Sequence, residues 1–404
     1  MKAGWVTQKL GALTTKIGSG ATPLGGEEAY KEVGISLIRS LNVHDWGFKE
    51  AKLAHIDDEQ AARLSNAVVE KDDVLLNITG ASVARCCIAP PEFLPARVNQ
   101  HVAIIRPDGN RLASSLLHYL LISPDCKARL LHTGEEGGST RQAITKAQLQ
   151  EFSIHFPASL AEQHRIVAIL DEAFDGIATA KANAEENLQN ARALFDSHLQ
   201  SVFSQRGAEW KQKTLEEIST IFGRGKSRHR PRNEPKLYGG KYPFIQTGDI
   251  RNADHFITEY SQTYSEAGLA QSKLWPKGTI CITIAANIAE TAILGFDACF
   301  PDSVVGVVPN HDEAEIGFVE YLLQSFKARL QSLGKGSAQA NINMGTFESE
   351  RFPFPPVAEQ IQIVTKLDAL SEEVQRLESI YQQKLTALDS LKKSLLHQAF
   401  SGAL

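Results

Sequence analysis

Apolar residues recur at steps of four and three along two long stretches of the chain. The first stripe runs Ile166, Leu170, Ala173, Ile177, Ala180, Ala184, Asn187 and Ala191, with Leu188 beside its polar step and Leu194, Phe195 and Val202 continuing it. The second runs Ile363, Leu367, Leu370, Val374, Leu377, Tyr381, Lys384, Leu388, Leu391 and Leu395. A heptad pattern sustained this long predicts coiled-coil helices, one near 161–204 and one near 358–400. From Ile166 to Val202 the stripe covers 36 steps, or roughly 54 Å at 1.5 Å per residue. The first helix carries alanine where the second carries leucine, valine or tyrosine. Small-against-large packing favours pairing of the two with each other, which predicts an intramolecular antiparallel coiled coil.

Ahead of each helix, short β-like runs alternate with Gly/Pro/Asn turns and a helical segment. Val74–Ile78, His101–Ile105, Ile280–Ile284 and Val304–Val308 read as strands, and Leu116–Leu131 and Phe318–Leu333 as helices. The predicted fold class is therefore mixed α/β (α+β), in two copies. The copies are visible as ordered matches. Gly18-x-Gly20 answers Gly223-x-Gly225, the run 38–43 answers 245–250, and Phe156-Pro157 answers Phe354-Pro355. Ala161-Glu162-Gln163 answers Ala358-Glu359-Gln360, and the heptad stripes coincide at an offset of 197. So long a period marks a duplicated domain rather than a solenoid. The expected division is a first globular domain at 1–157, a helical region at 158–206, a second globular domain at 207–355 and a second helical region at 356–404.

Composition fits a globular chain of 404 residues, 43% hydrophobic and 22% charged, long enough for two or more domains. The net charge of −5 is no basic signature, although a total hides local patches. Exposed acids on the helices (Glu172, Asp175, Glu185, Glu372 and Glu373) account for much of it and offer a docking surface. Cys86, Cys87, Cys126, Cys281 and Cys299 lack metal-site spacing and read as reduced core cysteines. Without a signal-peptide core or a run of about 18 apolar residues, the expectation is a cytoplasmic protein with no membrane partner.

The densest polar stretch is GRGKSRHRPR at 223–232, holding Arg224, Lys226, Arg228, Arg230 and Arg232. Arginines on a glycine-bearing loop suit phosphate contact and guanine reading. Thr220 stands where a phosphate-binding loop needs its first glycine, which excludes that motif. The matched loop in the first half offers Ser19 and Thr22 instead. Arg39, Asn42 and His44, and in the second half Gln246, Asp249 and Arg251, follow strand-like runs at matched places and are candidates for base edges. Ser139, Thr140 and Arg141, with Ser337 and Gln339, lie on matched glycine-bearing segments suited to gripping phosphate. No dinucleotide fingerprint, HExxH, CxxC or amino-methyltransferase tetrapeptide occurs.

The segments Phe156-Pro157 through AEQHRIVAILDEAFDGIATAKANAEENL, ARALFDSHLQSVF, FPFPPVAEQIQIV and LKKSLLHQAFSGAL resemble the specificity subunit of a type I restriction–modification enzyme. The resemblance covers the whole length. It implies two target-recognition domains, each reading one half of a bipartite asymmetric site in double-stranded DNA, with the helices fixing the gap. It also implies two modification (methyltransferase) subunits as partners and restriction subunits bound through them. S-adenosylmethionine, ATP and Mg²⁺ would belong to those subunits and no cofactor to this one, which would have no catalytic residues. Two α/β heads on a coiled coil also fit a scaffold that binds protein or another ligand, and a self-contained methyltransferase is disfavoured by the missing motifs.

Overall fold

The computed structural model describes residues 4–135, 143–205, 207–229, 231–285, 287–334 and 344–404. They form two compact units, Met1–Glu185 with Gln383–Leu404, and Glu186–Gln382. Each unit owns a head and a part of both long helices, Leu160–Ser204 and Val357–Ser401.

In the first unit, Trp5–Lys9 pairs antiparallel with Ser153–Pro157, closing the head beneath the helix start. One four-stranded antiparallel sheet has the order Thr14–Ser19, Val102–Pro107, Val74–Asn77, Cys86–Ile88. A second has the order Ala54–Ile56, Ile35–Ile38, Ala96–Val98, Val68–Val69, and only its central pair is parallel. Alternating side chains split the first sheet between two cores. Val74, Leu76, Ala103 and Ile105 face a core completed by the helices Ser114–Ile122 and Pro124–Glu135 and by Ile166 and Leu170. Leu75, Val102 and Ile104 face the second sheet.

The second unit repeats this order. Lys211–Lys213 pairs with Phe352–Phe354. The sheet Ser219–Arg224, Val304–Pro309, Ile280–Thr283, Thr291–Leu294 gains one edge strand, Phe256–Ile257. The other sheet runs Gln262–Tyr264, Tyr238–Phe244, Ala298–Cys299, Leu274–Trp275, again parallel at its centre. The heads are thus one topology built twice. The expected helix at 116–131 is two helices, because a residue before proline is forced out of the α region and Pro124 follows Ser123. Phe326 stands at the matched place, and Ile316–Gly334 is continuous.

The glycines that marked the repeat are close-approach positions. A Cβ on Gly20 would lie 1.7 Å from the Val98 carbonyl oxygen, and one on Gly225 2.3 Å from that of Phe300. Each loop therefore lies flat on the backbone beside it, an approach that only glycine permits.

Within each unit the two long helices run antiparallel. In the first, Lys181 Nζ is 2.7 Å from Asp389 and Lys392 lies 5.3 Å from the Phe174 ring. In the second, Arg192 Nε is 2.6 Å from Glu378, while Leu199 and Phe203 share a core with Leu367. Of the predicted stripe, Ile166, Leu170, Ile177, Leu367 and Val374 are buried, and Leu188, Ile363, Leu370, Leu377, Leu388 and Leu395 are partly buried. Leu194 and Leu391 are not in it, being 58% and 46% exposed. A strict heptad drifts by about 20° per repeat on a straight α-helix. Ala184 and Ala191 remain buried on the predicted stripe, but toward the far ends the buried stripe has accordingly moved to Leu199 and Phe203 on one helix and to Leu396 and Ala399 on the other, while Phe174 is covered by Trp46 and Tyr119 of the head.

Candidate nucleic-acid interface

The second-unit basic loop follows the strand Ser219–Arg224 and is seated through Gly225, whose N–H donates to the Val304 carbonyl at 2.9 Å. Its arginines divide by role. Arg224 Nε donates to the Asp302 carbonyl at 2.8 Å, and Arg232 grips the Asp302 carboxylate at 2.9 and 3.1 Å. Those two fasten the loop to the turn at 301–302. Lys226 and Arg228 present exposed side chains, with the Arg228 backbone held by Gln271 Oε1 at 2.6 Å. Arg230 lies outside the described residues. Sequence reasoning missed Lys273, whose ammonium sits 3.7 Å from the Trp275 ring centroid. Burial first, and then the neighbouring Lys226 cation, lower its pKa.

Gln246, Asp249 and Arg251 lie at or on the short helix Thr247–Asn252. Asp249 accepts the Gln246 N–H at 2.8 Å and so caps that helix. Gln246 Nε2 reaches Gln262 at 2.7 Å with its own residue still exposed, and Arg251 is exposed.

In the first unit the candidates are more committed. Ser19 is a half-buried strand end and Thr22 an exposed loop residue. Arg39 donates to the Lys52 carbonyl at 2.7 Å and lies 5.0 Å from the Tyr30 ring centroid, its side chain only 16% exposed. Asn42 is fully buried. Its amide donates to the Lys49 carbonyl at 2.8 Å and accepts the Arg39 N–H at 3.0 Å. It holds a turn and has no face to offer a base, so it is not part of the surface proposed below. His44 Nε2 lies 3.1 Å from the Leu41 carbonyl oxygen. Near these residues opens a cleft of roughly 410 Å³ lined by Ser40, Thr79, Ser82, Arg85 and His101, none of which the sequence singled out. Ser139, Thr140, Arg141, Ser337 and Gln339 lie outside the described residues.

Each head is tied to the long helices by matched polar contacts. Gln163 and Gln360 are both fully buried. Gln163 donates to the Arg111 and Pro157 carbonyls, both at 2.9 Å, and accepts the Ala113 N–H at 2.8 Å. Gln360 does the same with Glu313, Pro355 and Glu315 at 3.2, 2.8 and 2.8 Å. Tyr119 donates to Asp171, and Tyr321 to Asp368 at 2.8 Å. In the second unit the buried Glu320 accepts from Thr291 and Gln324, each at 2.7 Å, with His255 Nδ1 at 2.8 Å. Burial alone would lower the His255 pKa, but the Glu320 hydrogen bond and charge, with Asp368 and Asp254, raise it.

All five cysteines are free and buried, and burial pushes the Cys87 and Cys126 thiols up to about 12, which makes them inert filler. No helix among the described residues is long and apolar enough to cross a membrane.

Two copies of an α/β head, each fastened to a pair of long helices, define a duplicated two-headed module. The family model of the type I restriction modification DNA specificity domain matches twice, at residues 2–189 and 207–386. The chain belongs to this family and is the DNA specificity subunit of a type I restriction–modification system, its non-catalytic member. The family carries no cofactor of its own. The putative type I restriction enzyme MjaX specificity subunit of Methanocaldococcus jannaschii is 22% identical over 98% of this chain and 93% of its own length. The EcoBI specificity subunit of Escherichia coli is 28% identical over 46% of this chain and 38% of its own. Among solved structures, the HsdS subunit from Thermoanaerobacter tengcongensis superposes with a TM-score of 0.68 at 21% identity, covering 100% of this chain and 98% of that one. A chain from a type I system solved for its complex assembly and conformational transition gives 0.81 at 20%, covering 100% and 99%. These two likenesses speak for the fold.

Proposed function

We propose that the first unit reads one half of a bipartite DNA site and the second unit the other half. The long helices set the gap between the halves and dock two modification subunits, with restriction subunits joining through them, in the cytoplasm. The domain division 1–157, 158–206, 207–355 and 356–404 separates reader from helix. The observation that carries this reading is one head topology built twice with different loop chemistry at the matched glycine. Second-unit contacts would come from Lys226, Arg228, Arg230, Gln246 and Arg251, over a base held by Arg224, Arg232 and Asp249. First-unit contacts would come from Ser19, Thr22 and His44, from Ser139, Thr140 and Arg141, and from the cleft beside Arg39. Ser337 and Gln339 would grip backbone phosphate in the second unit.

The test is methylome sequencing of cells expressing the whole complex with this chain intact, deleted, or carrying Lys226→Ala with Arg228→Ala. The expected outcome is a bipartite motif that disappears on deletion and weakens or relaxes in one half in the variant. A motif unchanged by deletion refutes the reading.

A further inference from the structure

The two long helices meet through two ion pairs, Lys181–Asp389 in the first unit and Arg192–Glu378 in the second. At the repeat offset of 197, Lys181 corresponds to Glu378 and Arg192 corresponds to Asp389. The two pairs therefore occupy the same two positions of the repeat with their charges exchanged. Both cations sit on the first helix and both anions on the second.

This polarity matters because duplication leaves each helix a second possible partner, the same helix of another copy of the chain. The helix ends do little to forbid that exchange. Leu199 and Phe203 on the first helix correspond to Leu396 and Phe400 on the second, so similar side chains would fill either core. The middle differs. Were the first helix to pair antiparallel with its own copy in the observed register, Lys181 would face Arg192. Were the second to do so, Glu378 would face Asp389. The apolar stripe works in the same sense. The buried Ala184 and Ala191 correspond to Tyr381 and Leu388, so like pairing would leave space on one side and crowd the other.

We propose that this exchanged-charge pair of contacts makes the first helix pair with a second helix and rejects the first helix of another copy of the chain. The cation beside it holds the Asp389 carboxyl below the usual range, Lys181 being the nearest contributor. Each contact is partly exposed and singly weak. Selectivity comes from the difference, since each attraction in the intended pairing becomes a repulsion in the alternative.

The pattern allows a test at constant net charge. Lys181→Glu with Glu378→Lys places like charges at both contacts within the chain and opposite charges at both contacts between copies. Adding Arg192→Glu and Asp389→Lys inverts every charge and restores the original selectivity. Full-length chains bearing two different tags are co-expressed, and the fraction of one captured with the other is measured. The double variant should raise mixed-tag capture at least roughly tenfold over the unmodified chain at 0.1 M salt, and the quadruple variant should return it to the starting level. The rise should collapse at 1 M salt, where the Debye length is about 3 Å. Equal capture for the double variant and the unmodified chain overturns the proposal, as does a quadruple variant that captures as much as the double. If the double variant is insoluble, a soluble quadruple variant supports the proposal and an insoluble one overturns it.

Discussion

Replacing Gln163 by leucine keeps nearly the same volume and removes three hydrogen bonds at once. The glutamine is fully buried where the first long helix begins, and its amide spans the strand end at Pro157 and the loop at 111–113. Leucine would leave the Ala113 N–H, in the loop that opens the helix Ser114–Ile122, without its acceptor, and two carbonyl oxygens without this donor. A buried donor left unsatisfied costs about 1–3 kcal/mol, and carbonyls with a second lone pair cost less, so the total is about 3 kcal/mol. In a unit of about 200 residues each kcal/mol moves the melting temperature by about 2–4 °C, giving a fall of about 6–12 °C. Because the chain has two units, the loss has to be localised. Hydrogen exchange read by mass spectrometry should show lost protection at 111–117 and 160–170 with the second unit unaffected. Gln360→Leu should transfer the same loss to the second unit. A Gln163→Leu protein within about 0.5 kcal/mol of the original in urea unfolding, the range of an ordinary surface substitution, would refute the view that this amide fastens the head to the helix.

Inserting one heptad after Glu185 and one before Gln383 adds about 10 Å, the length of about three base pairs, but turns the DNA by about a third of a turn. Methylation of the original motif should be lost, and three heptads, about 31 Å, should recover a motif with a gap longer by about one turn; an unchanged gap in methylome sequencing rejects the spacing role. His255 has a raised pKa in the folded unit, so the stabilisation from its bond to Glu320 is fully present below the unfolded value of about 6.5 and disappears as pH rises through the folded value. His255→Gln should therefore cost stability in acid and progressively less as pH rises, measured by urea unfolding across that range. Gly225→Ala drives a Cβ into backbone at 2.3 Å and should cost about 1–3 kcal/mol in the second unit, read as a lower melting temperature.

The duplication and the long helices were legible because both are periodic signals. The helix ends fell within a few residues of 161–204 and 358–400, since each helix is flanked by a proline-bearing strand end. The stripe failed where heptad counting was carried across several turns, and Leu194 and Leu391 marked the accumulated drift. Strand order was not legible. The parallel pairing of Ile35–Ile38 with Ala96–Val98 joins segments far apart in sequence, and no local pattern encodes it. Among candidate site residues, amide and guanidinium groups after strands were over-selected. The same chemistry that meets a base also ties a turn, and Asn42 and Arg39 are spent on the latter. Tyr119–Asp171 and Tyr321–Asp368 were missed although each residue matches its counterpart across the repeat. A residue-by-residue alignment of the halves carried that signal.

What the two halves share and what they do not follows from where substitution is expensive. The glutamine that spans helix start and strand end, the tyrosine that reaches the helix aspartate and the glycine that lies on neighbouring backbone recur in both units. The glutamines are buried and the glycines press on backbone, so replacing them orphans polar groups or forces a clash, and the tyrosine is half-buried in the first unit and buried in the second. The loop that leaves the matched glycine carries Lys226 and Arg228 in one unit and Ala21 and Thr22 in the other. Its exposed side chains can change with little effect on stability. A head built this way can be given a new surface without disturbing its mount on the helices, provided the few arginines that fasten the loop, Arg224 and Arg232 on Asp302, are kept or replaced together. Under the proposed function, that separation lets each half of the DNA site be re-specified independently. Replacing Asp302 with alanine should loosen the loop and degrade recognition of one half alone, whereas replacing Gln360 should unseat the whole second head.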